Sequence, residues 1–533
     1  MKNEEKTNSF LNEDSPGLAL LEKGQQGLAH MVFSRVGIIV LLLLFQLFLV
    51  FAVFYWLNAY LPHFVIFTTV FTAFMGLYLL NTDADPSAKI TWLLVILLMP
   101  AVGAPLYCYT RSNLGMRILK KRLNYLVETT ENSIPQNEAV LESLREESPG
   151  AAALAHYMHR TGCYPVYDHT EVKYYPLGED KWADLLQALE QAEHFIFLEY
   201  FIIDEGLMWG RVLEILARKA KEGVDVRVMY DGTCEFSTLP HDYPKRLQAL
   251  GIKCKMFAPM TPFVSTHYNY RDHRKIAVID GHTAFTGGVN LADEYINRRP
   301  RFGHWKDTAI RLRGEAVPSF TLMFLQMWGV DEKKLEIDRF LAYPTQAPAE
   351  ARGYVLPYGD CPLDDDKVGE RVYMDILNRA EHYVYIMSPY LILDGEMETA
   401  LKFAAERGVD VRLVLPGIPD KKAPWALAKT HYSSLLASGV KIYEYSPGFV
   451  HAKVFVADDK EAVVGTINLD YRSLYHHFEC AAFLYDTPCI PDIRADVEAT
   501  MARSALVGKD FMEHEKLSIK LMGFLLKTVA PLL

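Results

Sequence analysis

Three apolar runs dominate the first fifth of the chain. Residues 36–57 hold 22 positions without a charge, 64–80 hold 17 and 90–109 hold 20. A bilayer core of roughly 30 Å needs about 20 apolar residues in a helix. The pattern predicts two to three hydrophobic helices within a membrane segment, 31–110. The third run carries Pro100 and Pro105 and is expected to kink or re-enter. Residues 1–30 are polar and of mixed charge, and read as a mobile tail. Arg111, Arg117, Lys120, Lys121 and Arg122 follow the third run, against Lys23, Arg35 and Lys89 elsewhere. This bias places the catalytic part in the cytoplasm, with the protein a multi-pass protein of the cell membrane.

After a helical connector, 111–160, the period changes. Strand-like runs alternate with helix-like ones, and the alternation occurs twice. "HFIFLEYFIID" is answered by "HYVYIMSPYLI", "GRVLEILARKAKE" by "METALKFAAER" and "GVDVRVMYDG" by "GVDVRLVLPG". Such alternation predicts an α/β architecture with a mixed sheet flanked by helices in each half. The halves are expected at 161–345 and 346–510. The Pro-, Ala- and Gly-rich stretch 341–359 reads as the linker between them.

The repeat also carries the candidate chemistry. "HRKIAVID" (273–280) is matched by "HAKVFVAD" (451–458), an offset of 178 residues. Six residues after each Asp come "GGVN" (287–290) and "GTIN" (465–468). Side chains alternate along a strand, so His273 and Lys275 share a face, as do His451 and Lys453. Two imidazoles, two ammonium groups and the amides of Asn290 and Asn468 suit a tetrahedral anion. Gly288 and Thr466 stand where the backbone would approach it. A phosphodiester fits this set best: one imidazole attacks phosphorus, and the other shuttles the proton. Each imidazole needs an orienting carboxylate. Asp307, 34 residues after His273, and Glu479, 28 after His451, are the candidates. Asp280 and Asp458 complete the motifs, and brace them rather than touch substrate. No zinc-type spacing is present and the central lysines repel cations, so no metal and no cofactor are expected.

The doubled HxKxxxxD followed by GG/GT-x-N resembles the phospholipase D superfamily. More narrowly, "YNYRDHRKIAVIDG", "FTGGVNLADEYI", "HWKDTAIRLRG" and "GTINLDYRSLYHHFEC" resemble bacterial cardiolipin synthases of the phospholipase D type. The resemblance implies two tandem phospholipase D-like halves related by pseudo-two-fold symmetry, preceded by N-terminal transmembrane helices. It implies one shared site, a phosphohistidine intermediate and no metal. His273 would be the nucleophile and His451 the general acid/base, with the reverse assignment left open by the near symmetry of the halves. The substrate would be phosphatidylglycerol and the product cardiolipin; the alternatives are a phospholipase D hydrolase or transfer to another alcohol, and, more remotely, a non-enzymatic membrane scaffold. Two positions depart from the family pattern. Asp272 and His477 stand where the family often has Asn, and an extra acid and an extra imidazole there are expected to shift the pKa of the site groups.

Charge and cysteines narrow the partners. The net charge of −11 lacks the basic stripe of a nuclease, so no nucleic acid is expected. Seven cysteines without a CxxC suit a reducing compartment. At the C-terminus, 511–533, Lys516, Lys520 and Lys527 share one face of a helix whose remainder is apolar. It reads as an interfacial helix lying on the lipid bilayer. A homo-oligomer is left open.

Overall fold

The computed structural model describes residues 62–532 except 84, 112–116, 260–269, 346–350 and 365, together with 17–20 and scattered positions between 41 and 56. The first half contains β1 (Thr170–Tyr175), β2 (Phe195–Tyr200), β3 (Asp225–Asp231), β4 (Lys253–Phe257), β5 (Arg271–Asp272), β6 (Lys275–Ile279), β7 (Thr283–Gly287), β8 (His304–Lys306) and β9 (Ala309–Gly314). The second contains β10 (Tyr354–Asp360), β11 (Tyr383–Met387), β12 (Asp410–Pro416), β13 (Lys441–Tyr445), β14 (Gly448–Val450), β15 (Val454–Ala457), β16 (Glu461–Gly465), β17 (His477–Tyr485) and β18 (Ser504–Leu506).

The main sheets repeat one order. It is β1-β9-β7-β6-β2-β3-β4 in the first half and β10-β17-β16-β15-β11-β12-β13 in the second, where β18 adds an edge. Only β2-β3-β4 and β11-β12-β13 run parallel. The helices Leu207–Lys221 and Gly395–Glu406 make the crossovers that parallel pairing requires.

Strand periodicity assigns each face to a core. Phe195 and Phe197 of β2 enter one core with Ile276 and Val278 of β6, while Ile196, Leu198, Ala277 and Ile279 enter another. The first of these cores also takes Cys480, Ala482 and Leu484 of β17 and Val454 and Val456 of β15. The halves thus share a core, filled between the sheets by Phe320 and Phe324 of helix Val317–Trp328.

Two short parallel ladders also join the halves. β5 pairs with β17, Arg271 against His477 and Asp272 against Phe478. β8 pairs with β14, from His304 against Gly448 to Lys306 against Val450.

Several expectations change. The stretch 341–359 is not all linker. Its end is the start of β10, which pairs with β17 because Tyr354–Asp360 is a continuous buried run. Residues 17–20 lie in the tail expected to be mobile, yet Leu18 N–H donates to Gly210 O at 3.1 Å and Leu20 N–H to Glu205 at 2.9 Å. The rest of the tail lies outside the described residues.

Among the described residues no helix is long and apolar enough to cross a membrane. The 36–57 run falls largely outside them. The third run is two helices, Pro86–Leu98 and Pro100–Arg111, broken at Met99 ahead of Pro100. Thirteen residues rise only about 20 Å, short of a bilayer core. Gly103 folds against Ile96, where a Cβ would come within 2.7 Å of the Ile96 Cα.

The C-terminal helix, Leu517–Val529, packs on the body and also presents an apolar face. Gly523 is buried against Ala426 and Thr430 of helix Lys422–Ala437, while Leu517, Leu521, Phe524 and Leu525 are exposed. Thr91 Oγ1 donates to Thr528 O at 2.8 Å, joining this helix to Pro86–Leu98, which exposes Ile90, Leu97 and Leu98.

Candidate active site

Each site histidine follows a ladder between the halves. His273 comes directly after β5, and its N–H donates to Phe478 O at 2.9 Å. His451 comes directly after β14, and its N–H donates to Lys306 O at 2.7 Å. The ladders fix which carboxylate each ring meets. His273 Nδ1 lies 2.9 Å from both oxygens of Glu479, and His451 Nδ1 lies 2.7 Å from Asp307 Oδ2. The candidates were counted from the histidine of their own half; the structure crosses them. The cause is register: β5 runs beside β17, which carries Glu479, and β14 beside β8, which ends just before Asp307. With Nδ1 engaged in each ring, Nε2 is the atom left for chemistry.

The lysines repeat the same geometry. Lys275 and Lys453 open β6 and β15's approach, and the Nζ of each donates to the carbonyl of its motif histidine, His273 and His451 respectively. Asn290 Oδ1 accepts from Ile202 N–H at 3.0 Å, and its amide donates to Tyr295 Oη at 2.7 Å. Asn468 donates to Asp470 at 3.2 Å, and its buried Oδ1 has no hydrogen-bond partner among the described residues.

Asp280 and Asp458 complete the motifs but sit away from the histidines and brace the strands, as their place in the motif suggests, and Gly288 and Thr466 meet the carboxylates. Asp280 stands at the far end of β6, roughly 20 Å from His273 at strand rise. Its carboxylate accepts from the N–H groups of Glu193, His194 and Phe195 at 2.7–2.8 Å. Asp458 does the same for Glu381, His382 and Tyr383 at 2.7–2.9 Å. Both adopt positive φ, 50° and 52°, at the turn. They anchor the starts of β2 and β11 and are not part of the catalytic cluster. Gly288 and Thr466 occupy equivalent repeat positions, and each meets one of the orienting carboxylates. A Cβ on Gly288 would meet Asp307 Oδ1 at 2.0 Å, so only glycine leaves room for that carboxylate. Thr466 Oγ1 donates to Glu479 Oε2.

Burial controls the charges. It holds His273 well below the ordinary imidazole range, helped by the Lys275 charge and opposed by Glu479. It lowers His451 to about 4, with Lys453 adding and Asp307 opposing. It lowers Lys275 to about 8 and Lys453 to about 7. Lys275 of the first half also acts on His451 and Lys453 of the second, so the half-sites form one electrostatic unit. Glu479 and Asp307 remain anionic; burial opposes this, but the adjacent imidazoles outweigh it. An anion arriving between the lysines would restore their charge and favour a proton on an imidazole.

Both departures from the family pattern have a structural account. Asp272 is fully buried and turned to Arg274, which also pairs with Glu199. His477 is buried with its ring 5.3 Å from that of His273, and Nδ1 lies 3.6 Å from Glu479 Oε1. Neither ring nitrogen has a hydrogen-bond partner among the described residues. His273, His477 and Glu479 are close enough to hold a metal ion together, a set that sequence spacing could not show. The Lys275 ammonium, which acts on His273, works against a cation there.

Aromatic walls were missed. Phe201 stands edge-on to His273 at 4.9 Å; Tyr295 and Trp305 each lie 5.4 Å from His451 and Phe449 lies 6.0 Å away. The repeat contained one clue. Aligning "HWKD" with "HHFE" sets Trp305 against His477, and each packs on its site histidine.

Residues 185–300 and 373–501 match the family described as cardiolipin synthase, PLD-like domain, and residues 65–108 match the phospholipase D-nuclease N-terminal family. A cardiolipin synthase of Alkalihalophilus pseudofirmus is 33% identical over 87% of this chain and 93% of its own. An uncharacterized protein of Streptococcus mutans is 58% identical over 86% of this chain and 99% of its own. Among solved structures, phosphatidylserine synthase of Haemophilus influenzae superposes with a TM-score of 0.53 at 14% identity, covering 68% of this chain and 93% of that one. That likeness concerns the fold.

Proposed function

The chain belongs to the cardiolipin synthase family with phospholipase D-like domains, and from that premise we propose that it transfers a phosphatidyl group from one phosphatidylglycerol to another. The observation that carries the reading is the crossed pair of His–carboxylate dyads, with two buried lysines, at the junction of the halves.

His273 Nε2 attacks the donor phosphorus. The bond to the glycerol oxygen breaks, and His451 gives that oxygen its proton. The product of this step is a phosphatidyl-histidine and free glycerol. The hydroxyl of a second phosphatidylglycerol then returns a proton to His451 and attacks phosphorus. The N–P bond breaks and cardiolipin leaves. Lys275 and Lys453 balance the charge on the phosphoryl oxygens, with the amides of Asn290 and Asn468 beside them. Glu479 keeps His273 Nε2 directed at phosphorus, Asp307 keeps His451 Nε2 directed at the leaving or attacking oxygen, and each stabilises the imidazolium when it forms. One phosphodiester replaces another, so no cofactor is required.

The enzyme works at a membrane in this reading, with its catalytic part on the cytoplasmic side. Support comes from the 36–57 run and from the exposed apolar faces of the joined helices Pro86–Leu98 and Leu517–Val529. The test uses purified protein in detergent with phosphatidylglycerol as the only lipid and EDTA present. Mass spectrometry should find cardiolipin and glycerol, both lost in His273→Ala and His451→Ala. Phosphatidate alone would make the chain a hydrolase.

A further inference from the structure

The two parallel ladders seat a second pair of rings in matching places. Trp305 stands opposite Phe449, two residues before His451, and His477 stands opposite Arg271, two residues before His273. Residues two apart along an extended chain share a face. Trp305 therefore lies on the face of Asp307, and His477 on the face of Glu479, the carboxylates that meet the site imidazoles. Each ring packs on its imidazole. The ring centres are 5.4 Å apart for Trp305 and His451, and 5.3 Å apart for His477 and His273.

Both rings carry polar atoms left without partners. Trp305 is 7% exposed, and its Nε1, a donor, has no hydrogen-bond partner among the described residues. His477 is 8% exposed, and neither of its ring nitrogens has one; Nδ1 stands 3.6 Å from Glu479 Oε1. A buried donor without a partner is costly, so a ligand acceptor that reaches it is favoured. A neutral imidazole carries its proton on either nitrogen. His477 has neither committed and can turn an N–H to a ligand, whereas a carboxylate holds Nδ1 of His273 and of His451. The neighbouring charges select an anionic acceptor. Lys275 acts on His273 and on His451, and Lys453 acts on His451 as well. A cation would be opposed there, and an apolar group would leave both N–H groups unpaired.

We propose that Trp305 Nε1 and a ring nitrogen of His477 are a matched pair of donors, one from each half, to the two non-bridging oxygens of the substrate phosphodiester. The inference deepens the proposed function and rests on it for the identity of the phosphodiester. The strands that carry the rings, and the packing around them, hold both donors in place before substrate arrives. An ammonium group supplies charge with little direction, while a planar ring N–H supplies direction. Holding both non-bridging oxygens fixes the orientation of phosphorus between His273 and His451.

The test uses the full chain in detergent, each variant at its own pH of maximal kcat/KM. Two quantities are measured: the Kd of inorganic phosphate by calorimetry, and kcat/KM for cardiolipin formation from phosphatidylglycerol. Trp305→Phe keeps an aromatic wall and removes the N–H. It should raise the Kd and lower kcat/KM by about tenfold or more each, the weight of a hydrogen bond to a charged group. Trp305→His, which puts back a ring N–H as in the other half, should recover most of both. His477→Phe should show the same losses, and His477→Asn, which puts back an amide N–H, should bind phosphate within about threefold of the wild type. Unchanged phosphate binding in Trp305→Phe or in His477→Phe would overturn the matched pair and leave the proposed function standing. Equal losses in the variants with and without an N–H would overturn it too, since the rings would then act only by packing. A wild-type protein that binds no phosphate would also overturn it. Phosphate binding that weakens as expected in a protein that makes no cardiolipin would keep the donor pair and remove the proposed function.

Discussion

His273 and Glu479 lie 206 positions apart in the chain, yet the imidazole Nδ1 stands 2.9 Å from both carboxylate oxygens. The reciprocal pair, His451 and Asp307, spans 144 positions. Neither half therefore contains a complete dyad of its own.

Removing an orienting carboxylate charge should cost activity without unfolding the protein. Glu479→Gln leaves the shape but lets the His273 ring adopt the wrong tautomer. A loss of about 10²–10⁴ in kcat is expected, by analogy with triads. Because Glu479 serves His273, this variant should fail to accumulate the phosphatidyl-enzyme. Asp307→Asn serves His451 and should slow both steps. Rapid quench followed by mass spectrometry of the His273 peptide distinguishes them. Equal effects on trapping would contradict the assignment of roles.

Asp280 and Asp458 should matter for stability and little for chemistry. Each carboxylate caps three backbone N–H groups at the start of a strand. Asp280→Ala should lower stability by roughly 1–3 kcal/mol, mostly the cost of stranding the buried Phe195 N–H, since the Glu193 and His194 N–H groups can turn to water. Thermal unfolding reads this, and kcat of the folded fraction at low temperature should stay within about threefold, since the carboxylate lies roughly 20 Å from His273. A large loss of kcat with an unchanged melting temperature would return Asp280 to the catalytic set.

The lysines set an alkaline limit. In the empty site burial holds Lys453 near 7 and Lys275 near 8, below the ordinary ammonium range. As pH rises from 7 to 8 they lose charge, so kcat/KM should fall over that interval. A bound phosphodiester favours the ammonium form, so the same limb in kcat should lie at higher pH. Initial rates at limiting and saturating lipid across pH 6–10 check the separation. Coincident limbs would show that these lysines do not bind the phosphate.

His477 should tune the acid limit. Its ring lies 5.3 Å from that of His273, and its electrostatic effect disfavours a proton on the nucleophile. Glu479, Lys275 and His477 all act on His273. His477→Asn removes that neighbour, so the His273 pKa should rise and the acid limb of kcat/KM should move to higher pH. His477→Phe should move it in the same direction. An acid limb that stays in place in both variants would leave His477 without a role in the protonation of the nucleophile.

The sequence by itself determined the parts. Its internal repeat marked two α/β halves, and strand periodicity put each His on the same face as its Lys. These are local properties, written in spacings of two to ten residues. It left the pairing between halves undecided, because the pattern around Asp307 and Glu479 is the same whichever histidine each one meets. Only the parallel ladders β5–β17 and β8–β14 made that choice, by bringing distant backbones into register. The same holds where motif residues left the site. Asp280 belongs to the same motif as His273, and its bracing role is legible from its place at the strand's end, but which N–H groups it caps is set by the fold. Gly288 and Thr466 faced carboxylates that the sequence placed nowhere near them. The membrane runs show the opposite limit: apolar length is legible in the chain, but the break at Met99 and the fold of Gly103 onto Ile96 depend on helix packing.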